Sequence, residues 1–157
     1  MTYSLVFYGI LGIASTVVAA IGNRRLFGRS GAGRATVLEC VYYVLGVASL
    51  GLGWYFNVRY VHEFGHTATY VGFTKALFAN WAADSAAQDY IMVNLVLLPL
   101  WTITDGRRRG LRIPWIFFVA SLFTSLAFAV ALYLGFVERQ IRYDRELTEL
   151  STSYPQL

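Results

Sequence analysis

Long uncharged apolar runs alternate with short polar stretches along this chain. Four runs approach the roughly 20 residues that a helix needs to cross a hydrocarbon core. They cover about residues 4–22, 38–58, 86–104 and 113–137. The first is uncharged, and the second is uncharged from Cys40 onward, with Glu39 at its edge. The third lies around Asp89 and Asp105, and Ser85-Ala86-Ala87-Gln88 has the pattern of a capping box that starts its helix at Ala86. The fourth is the longest and opens with Pro114, which suits a first helical turn. No alternating barrel pattern is present, so backbone satisfaction in lipid demands helices. The expectation is an all-α, four-transmembrane-helix bundle forming one integral membrane domain over residues 1–142, with a polar C-terminal tail at 143–157. Between the second and third spans lies a long outer loop, Asn57 to Asp84, expected to carry a short interfacial helix over Phe73 to Trp81.

Charge orients these spans. Arg24, Arg25, Arg29 and Arg34 occupy the first connection, and Arg107, Arg108, Arg109 and Arg112 the third. The middle loop has only Arg59 and Lys75, balanced by Glu63 and Asp84. By the positive-inside rule both arginine loops are cytoplasmic, which places both termini and the long loop outside. Met1 to Ala20 lacks a basic stretch ahead of its apolar run and is expected to stay as the first helix. The expected location is a cell membrane, multi-pass, of the bacterial inner-membrane kind.

Composition narrows the function classes. Of 157 residues, 57% are hydrophobic and 14% charged, whereas soluble domains carry about a quarter charged residues. That excludes an ordinary cytosolic enzyme and a disordered tail. One cysteine, Cys40, excludes an internal disulfide framework and a cysteine zinc cage. The basic excess is explained by the bilayer, where each arginine near an anionic leaflet contributes about 1 kcal/mol; nucleic acid is not an expected partner. The glycine-rich stretch Gly28 to Arg34 lacks a P-loop lysine and is expected to be a flexible turn. Small residues at four-residue spacing, Ser49 with Gly53 and Ala127 with Ala131 and Gly135, allow close helix approach, either within the bundle or in a homodimer.

Two sets of residues are candidates for chemistry. The first is an outer-mouth cluster of aromatic and polar groups, Trp54, Tyr55, Asn57, Tyr60, Asn80, Trp81, Asp89 and Asn94. Aromatic walls with a few polar groups are what a small-molecule or lipid-headgroup site requires. Asp89 sits near the positive end of the third helix, expected to pair with Arg59 or with neighbouring amides. At the inner surface Asp105 is expected to pair with Arg108 or Arg109, and Glu39 with Arg34 or Arg107. The second set is His62-Glu63-Phe64-Gly65-His66, which on a helix would put two imidazoles on one face beside a glutamate. With Asn94, Pro99 and Asp105-Gly106 it resembles the site-2-type intramembrane proteases. Against zinc there, Gly65, Thr67 and Thr69 make a poor helix interior, and a bilayer separates Asp105 from the histidines. No metal or other cofactor is therefore expected, with zinc kept as the weaker alternative.

Trp54-Tyr55-Phe56-Asn57, Leu77-Phe78-Ala79-Asn80, Asp89, Asp105-Gly106-Arg107-Arg108 and Glu138-Arg139 follow one another in an order and spacing that resembles the bacterial membrane family catalogued as domain of unknown function 2834. The resemblance covers about residues 53–142. It implies a multipass helical membrane protein and carries no activity across. The function expected is a non-enzymatic accessory subunit or lipid-binding bundle, whose partners are the lipid bilayer and a membrane protein or second copy. The alternatives are a membrane enzyme acting on a lipid or isoprenoid with Asp89 as acid, and the zinc-dependent hydrolase.

Overall fold

The computed structural model of the chain describes residues 2–28 and 35–153, nearly all of them helical. α1 (Thr2–Gly22) leads into a 3-10 turn at Arg24–Phe27, and α2 (Val37–Phe64) is followed by the short α3 (Tyr70–Ala76). α4 (Trp81–Ile91) passes through a π-helical turn (Met92–Leu97) into α5 (Leu98–Arg108). α6 (Ile116–Phe123) and α7 (Leu126–Ser153) complete the described fold. Among the described residues, three stretches are long and apolar enough to cross a membrane: Leu5–Gly22, Val37–Thr67 and Trp81–Arg108.

Local chemistry sets the boundaries. Thr36 opens α2 by accepting a hydrogen bond from the Glu39 backbone N–H at 3.0 Å. The helix continues to Phe64, through the first part of the predicted loop, until Gly65 at φ +53° ends it. Thr69 caps α3, which occupies 70–76 rather than 73–81. α4 starts at Trp81, not at Ala86, because the Asn80 side chain accepts from both Ala82 and Ala83 N–H groups. Ser85 therefore lies inside the helix and does not cap it. The π-helical turn directly precedes Pro99, which has no N–H to return to the preceding turn.

The fourth apolar run departs from expectation. It is a helical hairpin and not one spanning helix, because the chain reverses at Thr124–Ser125. A continuous helix would separate Phe117 from Tyr133 by about 24 Å; their rings lie 5.2 Å apart, and Phe117 meets Phe136 at 5.4 Å. α6 runs antiparallel to α1, with Ile113 beside Gly22 and Thr124 beside Gly12. α7 returns antiparallel to α2, matching Ser125 to Ser49, Ala131 to Gly46 and Arg139 to Glu39. Gly12 is the central residue of α1, so the hairpin tip lies halfway along that helix. Consequently α7 ends beyond the arginine-bearing turns, at the opposite end of the bundle from the start of α1.

This hairpin is the buried centre. Phe117, Ala120, Ala129, Tyr133 and Phe136 are buried, enclosed by α1, α2 and α5. Non-helical backbone at membrane depth is tolerated only where protein surrounds it or water reaches it, and here α1 supplies the wall. A Cβ on Gly12 would stand 2.8 Å from Thr124 Cγ2 and 3.0 Å from the Phe123 carbonyl oxygen, so only glycine admits the tip. Likewise the ring of Tyr43 occupies the space a side chain at Gly135 would need. Of the small residues recognised in the sequence, Ser49, Ala131 and Gly135 thus lie where α2 meets α7.

Candidate functional site

The polar chemistry of the described residues gathers in two layers, one at the arginine end and one at the hairpin tip. At the arginine end, Asn23 is fully buried. Its side chain donates to the Arg112 carbonyl at 2.8 Å and accepts from the Arg112 N–H at 2.7 Å. Nearby, Arg25 donates to the Gly110 carbonyl and, at 3.0 Å, to Gln140. These bonds tie the first arginine turn to the loop after α5, although 89 residues separate Asn23 from Arg112. Glu39, also fully buried, receives Arg139 at 2.6 Å and Arg142 at 2.7 Å. The expectation that it pairs with Arg34 or Arg107 is replaced by pairing to α7. The hairpin fold brings α7 alongside α2, which sequence distance could not reveal; Arg34 itself, like Arg29, lies outside the described residues. Asp105 behaves as expected, pairing with Arg109 at 2.7 Å, and it also accepts from the Tyr133 hydroxyl at 2.6 Å. The hydrogen bond from Arg109 to Asp105 raises the Arg109 pKa above its ordinary value. The exposed guanidinium of Arg109 remains charged throughout.

At the hairpin tip, Ser125 accepts from the Phe128 N–H at 3.1 Å and caps α7, while its hydroxyl lies 3.1 Å from that of Ser49. Thr124 turns its hydroxyl back to the Ala120 carbonyl at 2.6 Å. These two hydroxyls satisfy the broken helix ends where lipid offers nothing. Asn94, on the π-helical turn and only 3% exposed, meets the Ser121 hydroxyl at 2.6 Å and that of Tyr90 at 3.1 Å. The polar pair Thr124-Ser125, inside an otherwise apolar run, is the sequence signal for the break.

The outer-mouth candidates are distributed more widely. Trp54 packs its ring over Gly9 of α1. Tyr60 packs between Phe64 and the edge-on ring of Phe73, which holds α3 against the end of α2. Tyr55 accepts a hydrogen bond from Arg59 at 3.2 Å, whereas Asp89 is exposed and accepts from Gln88, so the Asp89–Arg59 pair does not form. Asn80 is spent on capping α4, and Trp81 is 90% exposed. Asn57 is half-buried on α2. Asn94 alone of this set reaches the buried centre, through Ser121. Tyr8 extends the outer packing, its ring 6.3 Å from both Tyr70 and Phe123.

His62 belongs to α2 and His66 to the 3-10 turn Gly65–Thr67, so the break at Gly65 interrupts the helical spacing that a zincin motif needs. Both are at the end of the bundle opposite Asp105. Among the described residues, no group of three or more His, Cys, Asp and Glu side chains is close enough to hold a metal.

A model of the family described as "Protein of unknown function DUF2834" matches residues 41–139. The chain belongs to that family. No curated protein and no solved structure matches it. Within the DUF2834 stretch, the residues behind the resemblance have structural work to do. Gly106 lets Pro114 approach, since a Cβ there would lie 2.7 Å from the proline ring; Asp105 holds Tyr133 and Arg109; Asn80 starts α4; Arg139 meets Glu39. Glu39 and the first arginine turn lie just outside the matched residues.

Proposed function

We propose that the protein is a non-enzymatic integral membrane protein, a lipid-binding bundle that also suits the role of an accessory subunit in a larger membrane assembly. α1, α2 and the α4–α5 helix cross the bilayer, and the α6–α7 hairpin enters from the arginine end and returns. The arginine end faces the cytoplasm of a bacterial cell, the N-terminus lies outside and α7 ends inside. This proposal replaces four crossings by three crossings and a re-entrant hairpin.

The observation that carries it is the filled centre. Phe117, Ala120, Ala129 and Tyr133 occupy the position where a bundle enzyme or transporter keeps its substrate cavity. The surfaces left for function are lipid-facing helix flanks and the arginine end. Native mass spectrometry of protein extracted in mild detergent tests this. Retention of a phospholipid, or of a stoichiometric partner chain, is the expected result. A protein that travels alone and turns over a lipid or isoprenoid substrate, with loss of turnover in Asp89→Asn, would establish the enzyme alternative instead.

A further inference from the structure

The loop after α5 is held in a conformation that its own residues disfavour. Ile113 has φ +56°, although it is β-branched and precedes Pro114. Both features oppose a left-handed backbone. Gly110 is also left-handed, at φ +74°. The loop stays in place because buried Asn23 grips the Arg112 peptide on both sides, Arg25 holds the Gly110 carbonyl, and the Leu111 N–H donates to the Gly106 carbonyl at 2.8 Å. Strain of this kind persists only where surrounding contacts over-determine it, and it concentrates at binding loops.

The clamped loop presents charge that the fold does not use. Arg109 is spent on Asp105, and Arg25 on Gly110 and Gln140. Of the acids in this layer, Glu39 is taken by Arg139 and Arg142, Asp105 by Arg109 and Tyr133, and Asp144 by Gln140, while the charge of Glu138 acts on Arg109. Arg24, Arg107, Arg108 and Arg112 are exposed, and among the described residues their side chains make no hydrogen bond or ion pair. Exposed Trp115 follows directly after Pro114, and an indole of this kind settles at headgroup level.

We infer that the Arg107–Arg112 loop, joined by Asn23 to Arg24, is a preorganised receptor for the phosphate of an anionic membrane lipid. Guanidinium groups match a phosphodiester in charge and in hydrogen-bond geometry. The loop's depth beside Trp115 selects a phosphate carried by the bilayer over one free in solution. The inference rests on the arginine end being a membrane surface, as proposed above.

Native mass spectrometry with equal amounts of phosphatidylglycerol and phosphatidylcholine added to the detergent-solubilised protein tests it. The wild type should prefer phosphatidylglycerol, and Arg108→Gln with Arg112→Gln should lower that preference by about fivefold per arginine. Two variants that keep every charge decide whether preorganisation matters. Asn23→Leu releases the clamp, and Gly110→Val denies the loop its left-handed turn without touching the core. Each should lose most of the preference while thermal unfolding in detergent remains cooperative. If Asn23→Leu does not fold, Gly110→Val alone decides. Folded charge-retaining variants with full preference would overturn the inference, as would a wild type that binds both lipids equally. Displacement of the lipid by millimolar inorganic phosphate would overturn the lipid assignment. None of these failures touches the bundle proposal, which stands or falls on the extraction experiment above.

Discussion

Asn23 and Arg112 hold each other in a closed pair of hydrogen bonds, side-chain amide against backbone peptide, at 2.8 and 2.7 Å. The contact uses only the main chain of Arg112. Asn23→Ala should therefore cost about 1–2 kcal/mol, since it abolishes both bonds and leaves a partly buried peptide group without its partner. Arg112→Ala should leave stability nearly unchanged. Unfolding in a graded denaturing-detergent titration compares the two. Equal losses would show that the arginine side chain, and not the clamp, holds the loop.

The hairpin makes a prediction about sidedness. In a Cys40→Ser background, a cysteine placed at Thr69 should react with an impermeant maleimide added outside intact cells. Cysteines at Gly28 and Ser151 should react only after permeabilisation. Reaction of Ser151→Cys together with Thr69→Cys would mean that α7 crosses to the outer side, as a fourth spanning helix would.

Close approach at Gly12 predicts a sharp contrast between glycines. Gly12→Leu drives a side chain into Thr124 and the Phe123 carbonyl, and it should cause loss of the folded monomer in detergent. Gly51 has nothing within 4 Å of where its Cβ would stand. Gly51→Ala should be neutral or slightly stabilising, by less than about 1 kcal/mol. Size-exclusion profiles and thermal midpoints of the two variants are the check.

Glu39 is a buried acid shared by two partly buried arginines, Arg139 and Arg142. Removing one partner of such a group leaves like charges buried together, at a cost of about 3–5 kcal/mol. Glu39→Ala should lower stability by this order, and Glu39→Asp should recover part of it. If stability in detergent is the same for wild type and Glu39→Ala, α7 is held by its apolar contacts alone.

At His62 and His66 the expectation is less than one zinc per chain in protein purified without chelators, since Gly65 breaks the helix between the two imidazoles. Elemental analysis settles it. One equivalent of zinc, lost in the double variant His62→Ala and His66→Ala, would restore the hydrolase as a working hypothesis.

Several features of this protein were legible in the order of its residues. Hydrophobic run length predicted the three long helices, because a backbone in lipid has no alternative to helix. Arginine placement separated one end of the bundle from the other. Asp105 and Arg109 were four positions apart on one helix and met as helix geometry requires. Helix starts were less accessible: Ser85 and Asn80 are both good caps, and only the structure shows which side chain reaches free N–H groups.

What tertiary structure alone decided is the fate of the fourth run. Its composition fits a spanning helix and a buried hairpin equally well, since lipid and protein interior are both apolar. Thr124 and Ser125 turn the chain only because Gly12 leaves room for the tip and Ser49 offers a hydroxyl. That reversal then sets the partners of Glu39, places α7 at the arginine end and encloses the tip that Asn94 contacts. The Asn23 clamp on Arg112 has the same origin. Its two halves lie far apart in the chain, and nothing local to either one reveals the other.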